Sequence, residues 1–310
     1  MRVLVLGATS VLGTALLRAA PAQVPREAIQ TVGRRPLADA PHETHAVADL
    51  LAPNVVEQLY AQSGPDVVFH LVGGRTARAD ALLETAIGVT VRLLRAVGGA
   101  GTRVVVAGCA EELGASDGRA GGLDEAAPVV PQSAWGHALA ARTAAALAFQ
   151  GARSVAVARL FDLVGPGLDN GAPADLARRI ADAERRGGTV TLEGGDLVRD
   201  WVDVRDAAEA LWKIASSGAT GLFHVGSGKG TSLAELALEL FCEAKGDCDL
   251  VPCGGALAEN EVPRRVASIE RVTLETGWSP RIALAQSARE MLEAARGMAC
   301  GPGPAERGEA

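Results

Sequence analysis

Arg2-Val-Leu-Val-Leu-Gly-Ala-Thr-Ser-Val-Leu-Gly13 opens the chain, and its reading decides the fold. Arg2 to Leu6 read as a short strand, a glycine-containing turn follows, and helical apolar spacing begins at Leu12. That order gathers backbone N–H groups at a helix N-terminus, where they attract a phosphate. Gly7 and Gly13 hold the outer glycine positions of such a turn, and Ser10 stands where a middle glycine is usual. The other reading is an ordinary tight strand-to-helix turn.

Outward from this turn, nearly continuous apolar runs predict strands at Ile29–Val32, Asp66–Leu71, Arg103–Ala107 and Ser154–Leu160. Helical segments alternate with them at Leu12–Ala20, Val55–Ala61, Leu82–Val97 and Trp135–Gln150. The alternation predicts an α/β, Rossmann-type, doubly wound parallel sheet. The second half is less regular. Helices are expected at Asp175–Arg186 and Ser232–Lys245, and strands at Thr189–Leu192 and Gly221–Val225. Glycine and proline clusters at Gly165–Gly171 and Gly226–Gly230 divide the chain into a dinucleotide-binding domain, 1–165 with a return segment near 200–225, and a smaller C-terminal substrate-binding lobe, 166–199 and 226–296. A disordered tail is expected over 297–310.

Composition removes several classes. The 310 residues carry a formal net charge of −7 with no basic stripe, which argues against a nucleic-acid partner. No apolar run approaches the ~18 residues of a membrane span. Val3–Leu6 lacks the basic flank and cleavage site of a signal peptide, so a cytoplasmic protein is expected. Five cysteines form no disulfide framework, and Cys242, Cys248 and Cys253 lack paired metal-ligand spacing, as do His42, His45, His70 and His224. No metal is expected.

The second strand ends in Gly33-Arg34-Arg35, where an acid would bind a free ribose 2′-hydroxyl. A guanidinium pair suits a 2′-phosphate instead, so NADP(H) is the expected cofactor and NADH a weaker alternative. The bland alternative is a solvated basic turn. Gly7, Thr9, Ser10, Val11, Leu12 and Gly13 would cradle the diphosphate. Asp49 and Leu50 would meet the adenine edge, and Leu71, Val72 and Gly73 would pass the diphosphate and nicotinamide ribose.

These motifs, with later ones, resemble the extended short-chain dehydrogenase/reductases of NAD(P)-dependent epimerase/dehydratase type. The likeness spans about residues 1–290 and includes GATSVLG, DVVFHLVGG, VVVAGCAEELG, LDEAAPVVPQSAWGHAL, ARLFDLVGPG, RDWVDVRDAAEAL, FHVGSGKGTSLAEL and TGWSP. The resemblance implies a catalytic Tyr, a Lys four residues later, a Ser or Thr on the carbonyl and an upstream Asn. Motif on motif, these positions fall on Trp135, Leu139, Cys109 and Ala86, so none of the four is retained. Tyr60 is the single Tyr, and no Lys precedes Lys213.

Intact cofactor motifs without that machinery resemble atypical ketoreductases of aromatic polyketide (angucyclinone-like) biosynthesis. They imply a small aromatic ketone substrate whose neighbouring hydroxyl supplies the proton. Alternatives are a non-enzymatic NADP(H) sensor and a redox-neutral sugar-nucleotide epimerase or dehydratase. The resemblance places the nicotinamide near Cys109, Leu160 and Phe161, and the substrate near Arg75, Thr76, Trp135, Asp162 and Val164. It places Arg199 on a substrate diphosphate; the structural alternative pairs it with Asp200 or Asp203. His137 is a candidate surrogate acid, or else a partly exposed helix-start residue. Trp135 and Cys109 have bland readings as core. A monomer or homodimer is expected, with Leu82–Val97 and Trp135–Gln150 as the family's usual dimer helices.

Overall fold

The computed structural model describes residues 1–37, 44–73, 79–98, 101–116, 122–246, 248–252 and 261–299. Arg75 and Thr76 lie outside the described residues, as do His42, Cys253 and 300–310.

The first half runs β1 (Val3–Leu6), α1 (Val11–Arg18), β2 (Ile29–Gly33), β3 (His45–Val47), α2 (Val55–Ser63), β4 (Val67–His70), α3 (Ala79–Leu83), α4 (Val89–Ala96), β5 (Arg103–Cys109), α5 (Ala134–Ala148) and β6 (Ser154–Leu160). The second half continues through β7 (Asp162–Val164), α6 (Ala172–Arg186), β8 (Gly188–Leu192), β9 (Val198–Asp203), α7 (Val204–Ser217) and β10 (Gly221–Val225). It closes with β11 (Gly230–Ser232), α8 (Leu233–Cys242), β12 (Cys248–Pro252), β13 (Arg264–Arg265), α9 (Glu270–Thr276) and α10 (Leu284–Ala299).

Seven strands form one sheet in the order β10-β6-β5-β4-β1-β2-β3. Every neighbouring pair in it is parallel. Side chains alternate between two cores. Val3, Val5, Phe69 and Val105 pack with α1, α7 and α9 on one face. Leu4, Leu6, Val68 and Val104 pack with α2, α4 and α5 on the other. Burial on both faces is why these strands read as unbroken apolar runs. A third core joins α6, α8 and α10 around Ile180, Leu236, Leu240 and Leu292. Val164 belongs to this core at 1% exposure, which corrects its expected place on the substrate.

Three local expectations also change. Leu82–Val97 is not one regular helix: Glu84–Gly88 forms a π turn between α3 and α4. Ser232 is not helical but caps α8, in a capping box with Glu235. The helix α10 continues through Gly297 to Ala299, so the expected tail cannot begin at 297.

Arg199 finds neither expected partner. Asp200 accepts from the backbone N–H of Ser227, Gly228 and Ala267, and Asp203 pairs with Arg205 at 2.8 Å. Ser287 donates to Asp203 at 2.6 Å, which ties α10 to the start of α7.

Two buried histidines set the acid limit of the fold. Burial, with Arg142 nearby, pushes His70 down to about 3; burial, with Arg159 nearby, pushes His224 down to about 4. Both bind a proton more readily in the unfolded chain, so their contribution is complete above about pH 6.5 and is lost as pH falls toward those values. Urea unfolding between pH 6.5 and 5 should show stability falling by up to about 1.4 kcal/mol per pH unit for each histidine. His70→Gln and His224→Gln should each flatten that dependence; an unchanged slope in both would contradict the assignment.

Candidate functional site

A cleft of about 510 Å³ opens at the carboxyl ends of the parallel strands. Crevices in open α/β sheets form there because strand ends and following loops diverge at that edge. Its lining includes Leu12 after β1, Leu71 and Gly73 after β4, Cys109 at the end of β5, and Leu160 and Phe161 at the end of β6. The third core closes the opposite side with Leu168, Trp201 and Leu233, and Val262 lines it too.

The turn after β1 is a tight cradle. Gly7 has φ +89°, and a Cβ there would lie 3.0 Å from the Leu71 carbonyl carbon. A Cβ on Gly13 would lie 2.6 Å from the Gly7 oxygen. Ser10 turns its hydroxyl inward, donating to the Gly7 carbonyl at 2.8 Å and accepting from Gly13 N–H at 3.0 Å. It therefore caps α1 without widening the turn. Thr9 packs on Gly33, where a Cβ would meet its methyl at 2.5 Å. Val11 opens α1 beside them.

The exposed Arg34 and Arg35 leave the end of β2, two strands along the sheet from β4, on the same edge as the turn. Asp49 is exposed and accepts from Leu51 N–H at 2.9 Å, whereas Leu50 is buried in the α2–α4 core. Leu50 therefore serves packing.

One wall of the cleft comes from α5. Trp135 and Leu139 line it, and the Trp135 indole N–H donates to the Gly73 carbonyl at 3.1 Å. Ala86 is buried at the π turn with Leu139, Ala138 and Leu82, with Cys109 and Trp135 packed against them. Burial pushes the Cys109 thiol up to about 12, so it stays protonated at neutral pH. His137 is exposed, bonds the Ser133 carbonyl and is absent from the lining, which corrects its reading as a surrogate acid. Its helical position turns it away from the face that carries Trp135 and Leu139.

Several lining residues escaped the sequence reading. Glu111 and Ser133 meet at the rim, the hydroxyl donating to the carboxylate at 2.8 Å. Arg265 lines the cleft beside Arg199, and burial lowers the Arg199 guanidinium from its ordinary value. Glu261 lines it as well, with Asp162, which was expected on the substrate. Arg142 is the most deeply placed cation. It is 3% exposed, donates to the carbonyls of Val72 and Ala107, and burial pulls it down to about 10. Neither Tyr nor Lys lines the cleft. Tyr60 hydrogen-bonds Thr102 at 2.9 Å, at the opposite, amino edge of the sheet.

Residues 3–226 match the model of the NAD dependent epimerase/dehydratase family. The chain belongs to that family. It is 30% identical to GDP-6-deoxy-D-mannose reductase of Pseudomonas aeruginosa over 267 residues, covering 79% of this chain and 84% of the relative. Among solved structures it is similar to RMD from Pseudomonas aeruginosa complexed with NADPH, with TM-score 0.80 and 26% identity over 96% of this chain and 99% of that one. It is also similar to MoeE5 in complex with UDP-glucuronic acid and NAD, with TM-score 0.79 and 27% identity over 96% and 99%. No described helix is long and apolar enough to cross a membrane.

Glycine substitutions separate the cradle from ordinary helix. Gly13→Ala should lower stability by about 1–3 kcal/mol, because backbone oxygens block the new methyl. Gly88→Ala, with nothing within 4 Å, should be neutral or raise stability by up to about 1 kcal/mol. Equal effects in urea unfolding would refute the cradle geometry.

Proposed function

We propose that this protein is an NADP(H)-dependent reductase of a ketone on an aromatic polyketide of angucyclinone type, with the proton supplied by a hydroxyl next to that ketone. One arrangement carries the reading. An open cleft walled by Trp135, Phe161 and Trp201 continues from a glycine cradle and an arginine pair, and no Tyr or Lys lines it. In these features the chain resembles the ketoreductase of simocyclinone biosynthesis.

The residues present fit the cofactor. Gly7, Thr9, Ser10, Val11, Leu12 and Gly13 would hold the diphosphate, since a Cβ at either glycine would fill the cradle. Arg34 and Arg35 would hold the 2′-phosphate through paired N–H donors. Leu71, Val72 and Gly73 would border the nicotinamide ribose, and Cys109, Leu160 and Phe161 the ring. When bound, the nicotinamide supplies a hydride. The protein orients the ketone, with Trp135 and Asp162 as walls, and excludes water from one side. A general acid typically contributes about 10²–10⁴ in rate, which the substrate's own hydroxyl provides here. An open cleft favours turnover over a sensing role.

A second reading has its own support. Arg199 and Arg265 line the same cleft, and two guanidinium groups suit a diphosphate. A sugar-nucleotide reductase would use them so, in keeping with the GDP-6-deoxy-D-mannose reductase relative.

Transfer from 4-deuterated NADPH decides between these readings. The panel is hydroxy-flanked aromatic ketones, their O-methyl ethers and a GDP-linked keto sugar. Deuterium on the carbinol carbon of the hydroxy ketones, with turnover sharply slower for the ethers, is the expected result. Transfer to the keto sugar alone would establish the second reading. Transfer to neither, with NADPH binding confirmed, would favour a sensor.

Joint replacement of Arg34 and Arg35 by Ala should weaken NADPH binding about 10-fold or more and leave NADH nearly unchanged. Equal losses, measured by cofactor fluorescence, would refute the 2′-phosphate assignment.

A further inference from the structure

Three carboxylates and three guanidiniums line the cleft, but they do not pair evenly. Arg199 and Arg265 face Asp162, Glu111 and Glu261 within the same lining, and Arg199 is held positive by all three acids. Arg142 has no such counter-charge. Among the described residues no carboxylate forms an ion pair with it. The nearest acid, Glu112, is already committed: its Oε2 accepts from Arg159 Nε at 3.1 Å and from the terminal nitrogen at 2.8 Å. Its Oε1 accepts from Cys109 N–H and from the Thr143 hydroxyl.

The groups facing Arg142 from the sheet are neutral. The Cys109 thiol is protonated. The Thr90 hydroxyl donates to the Ala86 carbonyl at 2.7 Å, so its oxygen accepts from His70 Nε2–H at 2.8 Å. Burial, with Arg142 nearby, keeps His70 neutral, and this bond places its one proton on Nε2. Arg142 Nε has no partner among the described residues, and its two terminal nitrogens hold only carbonyls. Gly73 leaves the room it occupies: a Cβ there would stand 2.8 Å from the guanidinium. A charge buried without a counter-ion is costly to keep. At 3% exposure in the cleft wall, it is also weakly screened from whatever binds beside it.

We propose that Arg142 is a positioning residue whose fixed positive charge, in the cleft wall beside Gly73, stabilises the anionic oxygen left on the substrate. The inference rests on the reductase reading above. In that reaction the hydride adds to the carbonyl carbon, and the carbonyl oxygen takes the neighbouring hydroxyl's proton. The negative charge then resides on that hydroxyl's oxygen until solvent returns a proton. The nicotinamide leaves oxidised, so electrons and protons balance. Glu111, Asp162 and Glu261 oppose such an anion and Arg199 and Arg265 favour it; Arg142 brings the formal charge of these six groups to zero and is the one cation among them without a facing carboxylate in the lining.

The test needs no turnover. The probe is 1-hydroxyanthraquinone, whose visible band moves to longer wavelength when its hydroxyl ionises. It is titrated from pH 7 to 10.5, free and bound to the wild type, Arg142→Gln and Arg142→Lys, with the melting temperature of each recorded. The bound probe should ionise about one to two pH units lower on the wild type than on Arg142→Gln. Arg142→Lys should retain the wild-type value at the lower end of the range, where its ammonium is charged. Equal ionisation on wild type and Arg142→Gln would overturn the proposal. If the Gln variant does not fold, the wild type decides alone: a bound probe that ionises no more easily than the free one overturns it. Tight binding without that shift leaves the reductase reading standing. Failure of the wild type to bind the probe removes both.

Discussion

The carboxylate of Glu112, fully buried at the end of β5, holds the cleft in place. It takes both Arg159 nitrogens from β6, the N–H of Cys109 from β5 and the Thr143 hydroxyl from α5. Three elements that wall the cleft thereby share one anion. Arg159 passes the connection to His224 on β10 at 3.0 Å, and His224 Nδ1 reaches the Leu123 carbonyl. A buried pair of this kind adds little net stability over apolar packing, but loss of one partner typically costs about 3–5 kcal/mol. Its value lies in placement: it sets where Cys109, Leu160 and the start of α5 stand relative to one another.

Most of the sheet was legible because two-sided burial leaves a plain signature. Ser154–Leu160 and Gly221–Val225 carry the bounds expected of them, and β1, β2, β4, β5 and β8 differ by one or two residues, whereas β9 and β12, outside this sheet, were not expected. The short strands were not legible. β3, β7, β11 and β13 have two or three residues each, too few to show a period. Their pairing depends on partners remote in sequence, as where β13 meets β9. The helix α10 was hidden differently. No helix was expected over 284–296 and the tail was expected from 297, while Ala288, Met291, Leu292 and Ala295 carry a helical stripe that seals the third core.

The site was legible where backbone geometry demands a residue type. Gly7 and Gly13 are such positions, because contact with Leu71 and Gly7 leaves no room for a side chain. It was not legible where long side chains travel. Arg142 lies three residues after Leu139 and seven after Trp135, so all three share one face of α5. An arginine on the apolar face of an alanine-rich helix was the available signal. A family Lys is expected at position 139 alone, whereas a long arginine side chain reaches the same edge from one helical turn further on.

These placements change what α5 contributes. Trp135 spends its indole N–H on Gly73, Arg142 spends its terminal nitrogens on Val72 and Ala107, and Leu139 has no polar atom. The helix braces the loop after β4 and presents to the cleft no group able to exchange a proton near neutral pH. Cys109, held protonated by burial, does not ionise there either. A proton used in this cleft must therefore come from the Glu111–Ser133 rim, from Asp162 or Glu261 across the cleft, or from the bound molecule. In the reductase reading proposed above the bound molecule supplies it, because a cation fixed beside a bound hydroxyl makes that hydroxyl the better acid.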